Sequence, residues 1–246
     1  MVLPFIKRVI WSSPLILSLG GSSIALQYIW LQHLSPVYLI EAFLLVWLGY
    51  RSFQSEELLL FKYERQFALT ILFVLFYLHG FPAYTLIAGM ILALYRWPKK
   101  YSLRSIPMIK NIAIALAWVC CTTAIAIDPT VDVTRWVLPD ILLILGLSMF
   151  SDARDLKHDQ DKIQTIAHWL GLTGTVIVGG LAILFFFYHR LQPLTWMQKW
   201  PILLLTLGYI MILRQRIMNN ANVTLLIDGC ATLIPVGALL YLQIFV

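Results

Sequence analysis

The chain has 246 residues, 60% of them hydrophobic and 12% charged, with a formal net charge of +6. Its mean hydropathy of +0.81 and its 13% of aromatic residues lie far from the averages of a soluble domain. This balance argues against a separate soluble domain, and the sequence shows neither a low-complexity tail nor an internal repeat.

The apolar residues do not alternate with polar ones. They gather in blocks of roughly 15–21 residues, close to the ~20 that a helix needs to cross a bilayer. In lipid a backbone must satisfy its own hydrogen bonds, so such blocks are expected to be helices. The first, 12–32, follows Lys7 and Arg8, and Leu15–Trp30 runs on without a small-residue cleavage site, as in a membrane span rather than a removed signal. The second and third blocks cover 36–52 and 66–79, and the fourth covers 80–96. The fifth, 107–127, contains Lys110 and the adjacent Cys120 and Cys121, which face about 100° apart on a helix. With Cys230 in another block, the spacing suits neither a disulfide framework nor a zinc site, and packing is the expected role. The sixth, seventh, eighth and ninth blocks are 134–151, 169–188, 200–213 and 223–245. Glu41 and Asp140 sit near block ends and are expected to snorkel to the interface. The fold class is therefore all-α, a polytopic membrane protein of nine transmembrane helices forming one integral membrane domain over residues 1–246.

With a cytoplasmic N-terminus, these spans place fourteen of the eighteen Lys and Arg residues on inner segments, and only Arg135, Arg190 and Lys199 on outer ones. This is the bias of the positive-inside rule, and it sets the C-terminus outside. A bacterial inner membrane is the expected location. A basic inner face suits anionic lipid headgroups, which accounts for the net charge without nucleic acid.

The stretch SDARDLKHDQDKIQTIAHWLG, residues 151–171, holds four of the twelve acidic residues within ten positions. If the sixth helix continues past Ser151, Asp152, Asp155 and Asp159 share one stripe, at about 0°, 300° and 340°, whereas Asp161 points away. Three carboxylates on one stripe repel unless a cation sits among them. Hard oxygen ligands of this kind suit Mg²⁺, which bridges carboxylates to phosphates. The plainer alternative is a water-exposed helix end whose acids pair with Arg154, Lys157 and Lys162.

Asp152-x-Arg154-Asp155-x-x-x-Asp159 with Thr165-Ile166-x-x-x-Leu170-Gly171 resembles the second aspartate-rich motif of the UbiA-type intramembrane prenyltransferases. The segments from Tyr95-Arg96-x-Pro98 to Lys110-Asn111, then Ala115-x-Ala117-Trp118, and Asp228-Gly229 are also similar to that family. The resemblance implies a UbiA-like nine-helix bundle that transfers an isoprenoid chain from a prenyl diphosphate to an aromatic or other lipid-soluble acceptor. It implies Mg²⁺ held by Asp152, Asp155 and Asp159, which would also be the catalytic set. Arg51, Arg104, Lys110 and Arg154 would bind the diphosphate, and Tyr50, Phe53, Tyr95 or Trp118 would face the allylic cation.

One departure is plain. The family's first motif, Asn-x-x-x-Asp-x-x-x-Asp at the end of the second helix, has no counterpart, because no aspartate precedes Asp128. The corresponding stretch, Gly49 to Glu57, offers only the adjacent Glu56 and Glu57, which face about 100° apart. A second function class therefore stands beside the enzyme: a non-catalytic relative that binds an isoprenoid lipid, quinone or pigment, or packs as a subunit of a larger membrane complex.

Overall fold

The computed structural model describes residues 19–22, 24, 37–53, 59–79, 83–96, 103, 106, 109–126, 133–156, 165–192, 194–218 and 224–245; for some helical residues it describes the backbone alone. Among the described residues all regular structure is helical, so the all-α fold class holds. Residues 19–22 and 24 are helical, and eight bounded helices follow. They are α1 (Val37–Phe53), α2 (Leu59–His79), α3 (Ala83–Arg96), α4 (Ile109–Ala126), α5 (Val133–Asp155), α6 (Ile166–Arg190), α7 (Trp196–Met218) and α8 (Thr224–Phe245).

Several helices outrun the apolar blocks that announce them. α2 starts at Leu59, seven residues before the block, because Lys62, Arg65 and Gln66 are good helix formers whatever their polarity. α7 starts at Trp196, where Thr195 and Gln198 form a capping pair: the Gln198 Oε1 accepts from the Thr195 N–H and hydroxyl, both at 2.9 Å. α6 opens behind Thr165, and Gly171 interrupts it with φ 65° and ψ 176°, a conformation that only glycine adopts readily.

α5 is the hub. It packs on α4, α6 and α8, while α4 also meets α1 and α3, α7 packs on α6, and α2 on α1. Leu143 and Phe150 of α5 and Ile183 and Phe186 of α6 have no exposed surface. The α5–α6 contact is close enough to involve backbone: a Cβ added at Gly146 would stand 2.6 Å from the Gly179 carbonyl oxygen. Small residues permit such an approach, and dispersion between the two backbones follows from it.

The outside of the bundle is apolar. Phe67, Phe73 and Tyr77 on α2 are 69%, 74% and 82% exposed, and Met90, Leu181, Leu205, Met211, Leu233 and Ile244 extend that pattern over α3, α6, α7 and α8. Among the described residues two helices, α6 and α7, are long and apolar enough to cross a membrane. Shorter apolar runs occupy Val37–Gly49, Gln66–Leu78, Ala83–Tyr95 and Ile109–Thr122.

Candidate functional site

α4 begins where α5 ends, and the two helix ends hold opposite charges. The first turn of α4 supplies Lys110 and Asn111; the last turn of α5 supplies Ser151, Asp152, Arg154 and Asp155. A cation at a helix N-terminus and carboxylates at a C-terminus each oppose the helix dipole. Pairing them across the two helices relieves both mismatches at once.

Asp152 is 4% exposed and both its oxygens are engaged. Lys110 Nζ donates to Oδ1 at 2.5 Å, and Asn111 Nδ2 donates to Oδ2 at 3.0 Å. A carboxylate only accepts, so the nitrogen end of the Asn111 amide must face it. The Asn111 Oδ1 is then buried and has no partner among the described residues. Asp155 lies three residues on and is held differently. Arg154 clasps it through Nε at 2.6 Å and Nη2 at 2.7 Å, and Nη2 also reaches the Ser151 hydroxyl at 3.1 Å. This second pair is half open to the surroundings, with side-chain exposures of 25% and 37%.

Of the residues singled out in the sequence, the structure brings Lys110 onto Asp152 and Arg154 onto Asp155. Asp159 and Arg104 lie outside the described residues. Arg51 is in the last turn of α1, with its side chain outside them, as are the side chains of Tyr50 and Phe53. Tyr95 and Trp118 are buried. Among the described residues no three His, Cys, Asp or Glu side chains converge as a metal site would require. The donors present, two carboxylates and the unpartnered Asn111 Oδ1, are hard oxygens of the type that Mg²⁺ takes.

One residue missing from the candidate set now belongs to it. Asn111 follows Lys110 directly and takes the second Asp152 oxygen; its signal was an amide beside a lysine at the start of an apolar helix. His168 belongs to the start of α6: its Nδ1 accepts the Thr165 N–H (3.2 Å), and its Nε2 is buried with no partner among the described residues.

The expectation that Glu41 and Asp140 snorkel is corrected. They are 1% and 0% exposed. Arg190 Nη2 donates to both Asp140 oxygens, at 2.7 and 2.8 Å, so the acid is paired under protein cover at the end of α6 rather than reaching out to the surface. The partner stands fifty positions away in sequence, on α6.

No family model, curated protein or solved structure matches the chain.

Proposed function

We propose that the chain is a nine-span, UbiA-like membrane protein that binds a prenyl diphosphate at the α4–α5 end and transfers its isoprenoid chain to a lipid-soluble acceptor. The observation that carries this reading is the Lys110–Asp152–Asn111 cluster with Arg154–Asp155 beside it, two acids and two cations at one end of a bundle with an apolar exterior. Ionisable groups inside an apolar bundle are costly and mark sites of function. The exposed apolar side chains of α2, α3, α7 and α8 support a lipid surround, since soluble monomers rarely expose so much. The charge bias in the sequence supports a cytoplasmic N-terminus and places the cluster on the inner face.

Asp152 and Asp155, with Asp159, are the residues that would hold Mg²⁺. When bound, the metal would neutralise the diphosphate as it departs. Lys110 and Arg154 then exchange carboxylate for phosphate oxygens, for which the guanidinium is already presented as a fork. Asn111 keeps Asp152 oriented while Lys110 turns. In the transfer, the allylic C–O bond breaks with its electron pair on the diphosphate, the acceptor forms the new bond to the allylic carbon, and its proton is released. Purified protein incubated with Mg²⁺, farnesyl diphosphate and a panel of phenolic acceptors tests this directly. Prenylated product is the expected result; neither product nor binding of the diphosphate would sink the proposal.

One observation favours a second reading. Both acids are already neutralised by protein cations, so the cluster is self-sufficient without a metal. A non-catalytic relative that holds an isoprenoid lipid, quinone or pigment, or serves as a subunit of a membrane complex, needs no more than that. It would bind such a ligand equally with and without Mg²⁺, and yield no product.

A further inference from the structure

At the other end of the bundle lies a groove that the proposed transfer does not use. It is a cavity of about 660 Å³ between α6, α7 and α8, within the size range of lipid and small-molecule sites. Its walls are apolar, and it is open on one side, since the lining residues Leu205 and Leu233 are 74% and 69% exposed. Its deep end is closed by Tyr209 and Cys230. Its shallow end is closed by Tyr241, whose hydroxyl donates to the Gln198 carbonyl at the start of α7.

Next to Gln198 in the chain stands a lysine. Lys199 is not itself a lining residue, but Lys199, Ile202, Thr206 and Tyr209 fall within roughly 80° of the circumference of α7, which sets it one turn beyond the lining stripe. It is 7% exposed, and its ammonium sits 5.3 Å from the Tyr188 ring centroid and 5.6 Å from that of Trp196. Among the described residues no carboxylate forms an ion pair with it. It also occupies the first turn of α7, where the helix dipole is already positive. The two ring faces are the ammonium's partners among the described residues, and an anion from outside the chain would add the opposite charge they lack. From Lys199 to Tyr209 the rise is about 15 Å, half of the ~30 Å hydrocarbon core, which is the depth of one leaflet.

We propose that this groove holds one acyl chain of an anionic phospholipid, with the lipid phosphate on Lys199 between Tyr188 and Trp196. The apolar walls select a chain, the lysine selects the negative headgroup, and the length matches a single leaflet. The site is separate from the Asp152 cluster and does not depend on the prenyl-transfer reading.

Native mass spectrometry of the detergent-purified protein with equimolar dioleoyl phosphatidylglycerol and dioleoyl phosphatidylcholine tests it. The wild type should retain the phosphatidylglycerol about fivefold better, the effect of one lysine at an anionic headgroup. Lys199→Gln should erase that preference and Lys199→Arg should keep it. Gly237→Leu fills the groove from α8, where a Cβ meets nothing within 4 Å, and should lower retention of both lipids. Gly208→Leu, equally unobstructed but not a lining residue of the groove, should behave as wild type. Lys199→Gln leaves the groove walls intact, so it decides the matter if the leucine variant fails to fold. Equal retention of the two lipids by wild type, or unchanged retention in a folded Gly237→Leu protein, would overturn the proposal. Displacement of the lipid by farnesyl diphosphate or by inorganic phosphate alone would overturn it too, by assigning the groove to a substrate or to a bare anion.

Discussion

Asp152 tolerates no loss of a donor. Removing Lys110 leaves a carboxylate that is 5% exposed with one amide to hold it, and breaking a buried pair from one side costs about 3–5 kcal/mol. Lys110 keeps 16% exposure, so Lys110→Met is expected near the lower end, about 3 kcal/mol, in detergent-micelle unfolding. Replacing both partners by Met and Leu should restore most of that stability and abolish diphosphate binding, which separates the structural from the ligand-binding contribution. Asp155 behaves otherwise, because its pair with Arg154 is open and open pairs contribute about 0–1 kcal/mol. Asp155→Asn should leave the unfolding transition almost in place while eliminating Mg²⁺-dependent diphosphate binding. Equal diphosphate affinities in wild type and variant, with and without Mg²⁺, would count decisively against a metal site. The i, i+3 spacing of these two acids was legible in the chain, and so was a basic residue at the start of α4. What was not legible is that Lys110, a candidate ligand for phosphate, spends its charge on Asp152, since a partner 42 positions away is a product of helix packing and leaves no local trace.

At the scale of elements, hydropathy located the described helices and misjudged several of their ends. It registers how apolar a segment is, whereas a helix continues as long as its backbone bonds continue. α5 runs four residues past its apolar block to Asp155, and that overrun is what carries the acidic pair. α6 begins three residues early because Thr165 caps it, with Gly171 absorbing the change of direction. The glycines make sharp, opposite predictions. Gly146→Ala should cost roughly 1–3 kcal/mol, because the new methyl meets the Gly179 backbone and neither helix can yield cheaply. Gly171→Ala should cost a similar roughly 1–3 kcal/mol for a different reason: nothing lies within 4 Å, but the φ of 65° with extended ψ is disfavoured by any Cβ. Gly208→Ala meets neither obstacle in mid-helix and should gain about 0.5–1 kcal/mol. Thermal unfolding of the three variants side by side measures all of this; a Gly146→Ala protein as stable as Gly208→Ala would contradict the close α5–α6 approach.

For the whole molecule, the apolar exterior predicts that the protein stays with membranes through salt and carbonate washes and leaves only with detergent. The proposed topology makes a stricter demand. With Cys120, Cys121 and Cys230 replaced by serine, single cysteines at Leu103 and Asp155 should react with an impermeant maleimide from the same side, and one at Gln192 from the other. Labelling of Leu103 and Asp155 from opposite sides would dismiss the nine-span arrangement. Within the bundle, α5 is fastened three times along its length: to α6 by Asp140–Arg190, to α6 again at Gly146–Gly179, and to α4 by Asp152–Lys110. The two ion pairs are twelve residues apart, about 18 Å of rise, and they tie the two halves of the helix to different neighbours. Such a shaft resists sliding and turning, and when Lys110 turns to a phosphate the two contacts with α6 still hold it. Whatever motion admits a hydrophobic guest must therefore be a sideways parting of the outer staves, α7 and α8 foremost, around a post that stays still. Backbone amides of 141–151 should accordingly be among the last in the protein to exchange their hydrogens, and those of α7 facing the groove well before them.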